Sequence, residues 1–428
     1  MKIRVLILFF VLTLAFFVVG CGSMKDGYDG GYSEPVGYGI GDIEGGLAGK
    51  TTPPDGGVDS GELPDDGNQN KYVPGQITSC ALFDKDYFDF WKSLITQNQE
   101  NNQSGLFFKY YSSASFKTLK HLKITLNDKA YGSIQLINKV DEQKPVVVSS
   151  AVTDRNGVAN LFYDSDANYV RVNYTKDGNA TSQEFEYHGE EELNLSLDNP
   201  QANVSNKIDV LFVVDTTGSM GDEIRYLKAE IENVIEQVQL DNEQAIIRLG
   251  LIFYRDTCDA QETYLMRTFD FTTDIEAQKR NLMQQGASGG GDYEEAVATA
   301  LEEAVNMEWS DQYATKLIVH VADAPSHKSD YGKWNNAVQT AASKGIRIIT
   351  VASSGVNHLC EYLFRSQSLI TDGCYVYITN DSGIGNSHLE ATVQERPVVE
   401  FLNKALIRLI NGYHTGEFAE PVYYGGQN

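Results

Sequence analysis

Two kinds of hydrophobic pattern divide the chain near residue 205. Between about residues 115 and 200, short runs alternate apolar and polar positions, as in 170–174 (VRVNY) and 193–197 (LNLSL). An alternation of period two is typical of half-buried antiparallel strands. Six or seven such runs, separated by Asn-, Asp- and Gly-containing turn signals, predict a β-sandwich. We therefore expect a small β-rich domain over residues 76–203.

The second pattern consists of continuous apolar runs that alternate with helical stretches. The predicted strands are 208–214, 247–254, 316–321, 346–351 and 375–378. The predicted helices follow 224–238 and lie near 292–308, 333–344, 358–369 and 395–411. This order predicts an α/β domain over residues 204–412, with a doubly wound, mostly parallel sheet between two helical layers. Ligands of such sheets bind at the carboxyl ends of the strands.

The first residues have the pattern of an export signal. Lys2 and Arg4 precede an almost wholly apolar run at 5–19, which is shorter than the ~20 residues of a spanning helix. The run ends at Val18-Val19-Gly20-Cys21, which resembles the lipobox of bacterial lipoproteins. The resemblance implies that residues 1–20 are a signal peptide and that Cys21 is diacylated, giving a stable membrane anchor. Gly22 stands in place of the aspartate retention signal of enteric bacteria, which favours the outer membrane or the cell surface.

Composition separates a linker from the folded part. Fifteen of the 38 glycines and five of the ten prolines fall within residues 22–75, where no apolar period occurs. We interpret residues 21–75 as an acidic, flexible tether and residues 413–428 as a flexible tail. The net charge of the chain is −25, which excludes nucleic-acid binding by bulk charge.

Candidate metal ligands follow the predicted strands. Asp215, Thr217 and Ser219 occupy alternate positions of a loop that opens a helix, so their oxygens can point at one centre. Asp292, after three glycines, and Asp323, after the strand at 316–321, would approach the same edge of the sheet. Hard oxygen ligands without Cys or His favour Mg²⁺, although Mn²⁺ and Ca²⁺ stay open. A loop that only caps the first helix is the alternative interpretation.

These motifs, in their order along the chain, resemble the von Willebrand factor A domain with its metal-ion-dependent adhesion site. The motifs are Asp-x-Thr-x-Ser after the first strand, Tyr254-Arg255-Asp256 after the second, Gly-Gly-Gly-Asp at 289–292, and Val-Ala-Asp-Ala-Pro at 321–325. The resemblance covers about residues 205–412. It implies that Thr217 and Ser219 touch the metal directly, and that Asp215, Asp292 and Asp323 bind it directly or through water.

The resemblance also implies how a partner would bind. In this family one metal position is left for a carboxylate supplied by a protein ligand. Asp292 stands where adhesion-type members often have threonine, and its charge makes the metal less electrophilic. The loop at 381–388 resembles that of bacterial members and either binds a second ion or caps the sheet. Residues 152–159 (VTDRNGVA) resemble a turn of immunoglobulin-like or transthyretin-like bacterial surface modules, so we expect the β-sandwich to be immunoglobulin-like.

The remaining side chains receive structural interpretations. Arg255 and Asp256 are expected to pair beside the site, and His327 to lie on a surface loop. With Cys21 lipidated, four cysteines remain; Cys360–Cys374 is the disulfide we favour, and Cys80–Cys258 would then form a second. Free buried thiols are the alternative.

The sequence thus predicts a lipid-anchored protein of the bacterial cell envelope that binds a protein partner through Mg²⁺ and is not an enzyme. A metal-dependent hydrolase using Asp215 and Asp323, with His327 as base, is one alternative. A structural surface component in which the metal only stabilises the fold is the other.

Overall fold

Fifteen strands and eight α-helices make up the described part of the protein. The structure is a computed structural model and describes residues 72–98, 102–114, 116–140, 144–261 and 263–425. The strands are β1 (Thr78–Leu82), β2 (Lys120–Leu126), β3 (Ser133–Asn138), β4 (Val146–Val152), β5 (Val158–Tyr163), β6 (Tyr169–Lys176), β7 (Asn179–Glu186), β8 (Glu192–Leu195), β9 (Lys207–Asp215), β10 (Ile246–Tyr254), β11 (Met266–Thr272), β12 (Thr315–Ala322), β13 (Ile346–Ala352), β14 (Cys374–Ile378) and β15 (Glu400–Phe401). The helices are α1 (Phe88–Ile95), α2 (Phe108–Tyr111), α3 (Ile224–Asp241), α4 (Ile275–Met283), α5 (Val297–Asn306), α6 (Tyr331–Lys344), α7 (His358–Ile370) and α8 (Leu402–Thr415).

Eight strands form one large, mostly parallel sheet in the order β11-β10-β9-β12-β13-β14-β1-β15. The five strands from β10 to β14 in this order run parallel, and they contain the five continuous apolar runs of the sequence. Strands β11 and β1 are antiparallel to their neighbours β10 and β14. The predicted α/β fold with a mostly parallel sheet is confirmed.

Helices cover both faces of this sheet. Alternate residues of β9 face opposite layers: Leu211 and Val213 pack with α5, α6 and α7, whereas Val210, Phe212 and Val214 pack with α3 and α8. Both cores exclude water, so each central strand is buried on its two faces. This is why the strands are continuous apolar runs rather than alternating ones.

Seven strands form two small sheets that are not hydrogen-bonded to the large one. Their strand orders are β5-β2-β8 and β4-β3-β6-β7. Alternating apolar residues of both sheets, such as Leu122, Ile124, Val170 and Val172, meet in one shared core. The alternating runs are half-buried strands as predicted, but the one at 193–197 was wrongly predicted to be antiparallel, because β8 pairs with β2 in parallel. An immunoglobulin-like relationship stays a prediction.

The first described strand differs from our expected domain boundaries. We expected residues 76–203 to form one β-rich domain, but β1 lies inside the large sheet, where Ser79 pairs with Ile378 and with Glu400. The segment after β1 also packs on α7, with the Trp91 ring stacked 6.0 Å from that of Tyr362. A five-residue strand buried on both faces carries no local signal of its partner, since its register comes from long-range pairing.

A buried ion cluster attaches this segment to the helical layer. The Arg365 guanidinium donates to both carboxylate oxygens of Asp84, at 2.9 and 2.5 Å, and to Glu361 Oε1 at 2.9 Å. It also donates to the Thr392 carbonyl at 2.7 Å. Because every charge here is buried and paired, removing one partner leaves uncompensated charge in the interior.

The C-terminal residues also differ from the expected flexible tail. Helix α8 continues to Thr415, and the Phe418 ring packs 5.4 Å from Phe83 and 5.0 Å from Tyr413. The Tyr424 amide then donates to the Val399 carbonyl at 2.9 Å. Aromatic anchoring thus holds a segment whose composition alone is typical of a loop.

The favoured disulfide is absent from the structure. Cys360 and Cys374 are separate thiols that lie in the hydrophobic cores on opposite faces of the large sheet. Cys374 Sγ lies 3.5 Å from the Leu82 carbonyl, and Cys258 Sγ donates to Asp256 Oδ2 at 3.2 Å instead of bonding Cys80. Closeness along the chain did not bring the sulfurs together because the sheet separates them.

Residues 1–71, which include Cys21, the predicted signal peptide and nearly all of the predicted tether, lie outside the described residues. Among the helices of the described ranges, none combines the length and apolar character that crossing a membrane requires.

We expect Arg365→Met to lower the free energy of unfolding by about 3 to 5 kcal/mol, since Asp84 and Glu361 would be left as buried, unpaired charges. Urea unfolding followed by circular dichroism measures this change. Arg396→Met is the matched control, because Arg396 pairs with Asp381 and Glu390 at the surface and its loss should cost under about 1 kcal/mol. Equal effects of the two substitutions would contradict the role of the buried cluster.

We expect Cys360 and Cys374 to react with iodoacetamide in unfolded, unreduced protein and to be protected in folded protein, since both thiols are buried. Peptide mass spectrometry measures alkylation at each site. A cross-linked peptide pair containing both residues would contradict the structure.

Candidate metal centre

Two carboxylates meet at the carboxyl ends of adjacent strands. Asp215 is the last residue of β9, and Asp323 directly follows the last residue of β12. These strands are parallel neighbours, with Val214 paired to Val321, so the two aspartates leave the sheet side by side. Asp215 is fully buried and Asp323 is 2% exposed. The sheet topology therefore forces two acidic groups into one desolvated space.

The loop after β9 holds Asp215 in place and adds two hydroxyls. Thr217 donates to Asp215 Oδ1 from its backbone amide at 2.8 Å and from its hydroxyl at 2.7 Å. Thr217 Oγ1 lies 3.1 Å from Ser219 Oγ, and the Ser219 side chain acts to lower the pKa of Asp323. Four of the predicted ligands, Asp215, Thr217, Ser219 and Asp323, are thus brought together.

The electrostatics of this group favour a cation. Asp215 Oδ2 and Asp323 Oδ1 are buried and have no hydrogen-bond partner in the described protein. Burial raises the pKa of Asp215, and the neighbouring Asp323 raises it further against the hydrogen bonds from Thr217. Burial also raises the pKa of Asp323, opposed by Ser219 and assisted by Glu223 and Asp222. Unpartnered acidic oxygens beside hydroxyls are the donor set of a hard divalent cation.

A glycine loop closes over the hydroxyls. The Gly218 amide donates to the Gly289 carbonyl at 3.0 Å, and the Ser288 amide donates to the Thr216 carbonyl at 3.0 Å. Gly289 has a φ of +79°, and a Cβ there would lie 2.3 Å from Asp259 Oδ1. Only glycine fits this approach.

The fifth predicted ligand lies in a different group. Asp292 is exposed at the end of the glycine loop, and its carboxylate clusters with Asp256 and His327, with one ligand atom of each within 4.8 Å of the others. Asp215 and Asp323 do not belong to this group. His327 Nε2 lies 2.7 Å from Asp256 Oδ1, so Asp256 pairs with His327. We had expected Asp256 to pair with Arg255, and this expectation was wrong. The Arg255 guanidinium instead donates to the Gly286 carbonyl and lies 4.2 Å from the Tyr264 ring centroid.

The comparisons with known proteins assign this region. Residues 209–384 match the von Willebrand factor type A domain family. They form a von Willebrand factor type A (VWA) domain. The match includes the strand-end carboxylates and the glycine loop, but neither β1 of the same sheet nor α8, which packs on that sheet.

Curated relatives resemble about half of the chain. The alpha-protein kinase vwkA of Dictyostelium discoideum is 28% identical over 216 residues, which is 50% of this chain and 34% of the relative. A putative ariadne-like RING finger protein, R811, of Acanthamoeba polyphaga mimivirus is 25% identical over 231 residues, or 51% of this chain and 22% of the relative. The chain thus spans about a third or less of the length of these relatives.

Two solved structures are similar at 16% identity. BatB of Bacteroides thetaiotaomicron, described as a conserved hypothetical protein, aligns with 49% of this chain and 99% of its own, with a TM-score of 0.33. An aerotolerance-related membrane protein of Bacteroides fragilis NCTC 9343, with multiple mutations to serines, aligns with 51% of this chain and 92% of its own, with a TM-score of 0.25.

Sequence reasoning missed one acidic residue of the VWA domain. Glu295 is 2% exposed, and its Oε2 has no hydrogen-bond partner in the described protein. Burial raises the pKa of Glu295 to about 10, and Asp215, Asp256 and Asp323 add to the shift. In the sequence Glu295 follows Glu294 near the start of the helix predicted at 292–308. Its burial comes from a backbone bridge to Ser326, which no local pattern shows.

The loop at 381–388, which extends past the end of the VWA match at residue 384, contacts the start of α3. His388 Nε2 lies 2.8 Å from Glu223 Oε1, and the Ser354 amide donates to the same oxygen at 3.0 Å. The Asn386 amide donates to Asp222 Oδ2 at 2.7 Å. The loop therefore covers the two acidic residues that follow Ser219.

In metal-free protein, we expect Asp215→Asn to raise the melting temperature at pH 8 and to have little effect at pH 4. The pKa of Asp215 is raised to about 8 in the folded state, whereas an unfolded chain has the ordinary Asp pKa of about 4. The protonated carboxyl therefore stabilises the fold at pH 4, and this stabilisation is lost as the pH rises from about 4 to about 8. Thermal melts in EDTA at both pH values measure the difference. Asp89→Asn is the control, because that carboxylate is 96% exposed. A destabilised Asp215→Asn variant at pH 8 would contradict the repulsion.

Proposed function

We propose that this chain is a lipid-anchored cell-envelope protein whose VWA domain binds a protein partner through a Mg²⁺ ion. A VWA domain is a protein-interaction module. The observation that carries the proposal is the pair of buried, unpartnered oxygens, Asp215 Oδ2 and Asp323 Oδ1, beside the hydroxyls of Thr217 and Ser219.

The donor set fits the ion. Thr217 and Ser219 would supply hydroxyl oxygens, and Asp215 and Asp323 would supply carboxylates, directly or through water. Asp292, the fifth ligand that the sequence predicted, clusters with Asp256 and His327 and is therefore left out of the donor set that we propose for this ion. Mn²⁺ and Ca²⁺ accept the same oxygens, so Mg²⁺ is the proposed ion and not a unique fit. When bound, the ion supplies the positive charge to which a partner's carboxylate binds.

The surrounding charges bear on the strength of binding. Glu295, Asp222 and Glu223 add acidic groups near Asp215 and Asp323. Each additional carboxylate lowers the effective charge of a bound cation. We therefore expect the domain to hold its ion firmly and to bind a single partner carboxylate weakly, so that recognition needs further contacts around the site.

We propose binding without catalysis. A hydrolase would need a general base near the metal-bound water. His327, the base that the sequence offered, belongs to the group of Asp256 and Asp292, which does not include Asp215 or Asp323. Turnover of an ester or phosphate substrate, lost in Asp215→Ala, would favour the hydrolase instead.

The envelope location rests on the sequence of the first 21 residues. The apolar run that ends at Cys21 resembles a lipoprotein signal, and the Gly-rich stretch after it would hold the folded part away from the lipid surface. We propose the outer membrane or the cell surface as the location. Mass spectrometry of the mature N-terminus tests for acyl chains on Cys21.

We expect one saturable Mg²⁺ site in the metal-stripped mature chain, lost in both Asp215→Ala and Asp323→Ala, because each substitution removes a carboxylate from the strand ends. Isothermal titration calorimetry measures the site. The full mature chain is needed, because a fragment that starts near residue 205 would lack strand β1 of the large sheet. Asp89→Ala, at an exposed carboxylate, is the matched control.

Absence of Mg²⁺ and Mn²⁺ binding in the wild-type chain would contradict the metal site. If Mg²⁺ binds and raises the melting temperature, but proteins recovered on the immobilised chain are the same in EDTA, the ion only stabilises the fold. Recovery that depends on Mg²⁺ and is lost in Asp215→Ala at unchanged melting temperature is the result we expect.

A further inference from the structure

A second group of ligands lies beside the strand-end site. Asp256 follows β10, Asp292 ends the glycine loop, and His327 follows Asp323 after β12, so the three come from different segments. One ligand atom of each lies within 4.8 Å of the other two. We propose that Asp256, Asp292 and His327 bind a second divalent cation, Zn²⁺, separate from the ion at Asp215 and Asp323.

Backbone hydrogen bonds fix the three segments relative to one another. The Glu295 amide donates to the Pro325 carbonyl at 2.9 Å, which joins the Asp292 segment to the His327 segment. The Ala296 amide donates to the Arg255 carbonyl at 3.3 Å, which joins the same segment to Asp256. The ligands are therefore preorganised by the main chain and do not depend on chance contact of surface side chains.

A buried acidic group next to the cluster supports a cation there. Glu295 Oε2 is buried without a hydrogen-bond partner, and Asp256 is among the charges that act on it, together with Asp215 and Asp323. His327 contacts Asp256, with Nε2 2.7 Å from Oδ1. A divalent ion would compensate the charges of Asp256 and Asp292, which His327 alone cannot balance.

Neighbouring donors orient the Asp256 carboxylate. Cys258 Sγ donates to Asp256 Oδ2 at 3.2 Å, and Thr257 Oγ1 donates to Oδ1 at 3.4 Å. Asp256 is 2% exposed, whereas His327 is about a quarter exposed and Asp292 is exposed. Outer partners of this kind fix the direction of a metal-binding carboxylate, and the exposed side leaves room for water as a fourth ligand.

The ligand types distinguish this site from the first. One imidazole and two carboxylates suit Zn²⁺, which takes three protein ligands and a water in tetrahedral geometry. The strand-end site offers oxygen ligands alone, which suit Mg²⁺. The two sites should therefore differ in metal preference. The proposal does not depend on partner binding at the first site.

The test is Zn²⁺ titration into the metal-stripped mature chain by calorimetry, in millimolar Mg²⁺ to occupy the first site. We expect one Zn²⁺ per chain, with affinity lowered at least about tenfold in His327→Gln and in Asp256→Asn. His188→Gln is the matched control, because His188 is exposed beside Glu186 and lies outside the cluster. Asp215→Ala should lose Mg²⁺ and keep Zn²⁺, which separates failure of this proposal from failure of the first site.

No saturable Zn²⁺ binding in the wild-type chain would overturn the proposal, and the cluster would then be an ion pair between His327 and Asp256. Equal Zn²⁺ affinity in the wild type and His327→Gln would overturn it too. Asp292→Asn covers the case in which the buried Asp256 variant fails to fold, because Asp292 is exposed and its loss should lower Zn²⁺ affinity without changing the metal-free melting temperature.

Discussion

The parallel pairing of β9 with β12 places Asp215 and Asp323 in one buried space, and the rest of the functional edge follows from that repulsion. Ionising both of these neighbouring, buried carboxyl groups costs free energy unless hydrogen bonds and a counter-charge stabilise them. Thr217 and Ser219 supply the hydrogen bonds from the loop after β9, and the glycine loop closes against their backbone. The fold leaves one oxygen of each aspartate without a hydrogen-bond partner in the described protein, and these two oxygens are free to bind a cation.

The same edge continues into a chemically different region. Asp292 leaves the strand-end group and joins Asp256 and His327, while the buried Glu295 is influenced by aspartates of both groups. The strand-end group contains only oxygen donors, and its neighbour adds an imidazole. The VWA domain of this chain therefore has two neighbouring groups of candidate metal ligands at this edge. One group has oxygen ligands alone, and the other also has an imidazole nitrogen.

Much of this could be predicted because strong local patterns survive folding. The apolar run at 208–214 lies within β9, and the alternation at 170–174 lies within β6, since burial on two faces or on one dictates the pattern. Residues 78–82, which form β1, were placed in the β-rich domain because five residues cannot specify a partner about 300 residues away. The Cys360–Cys374 disulfide failed because sequence proximity says nothing about the sheet between them. Glu295 and the Asp256–His327 pair were missed because backbone bridges between distant loops create them.

Strand β1 has a mechanical consequence. The amides of Gly75, Gln76 and Ile77 all donate to the Glu230 carboxylate of α3, and β1 then pairs with β14 and β15. Tension applied to the chain ahead of residue 72 would enter the large sheet at this strand. The force would pass across the sheet to the strand ends of β9 and β12. The two small sheets, which lie between β1 and β9 in sequence, would then bear none of it.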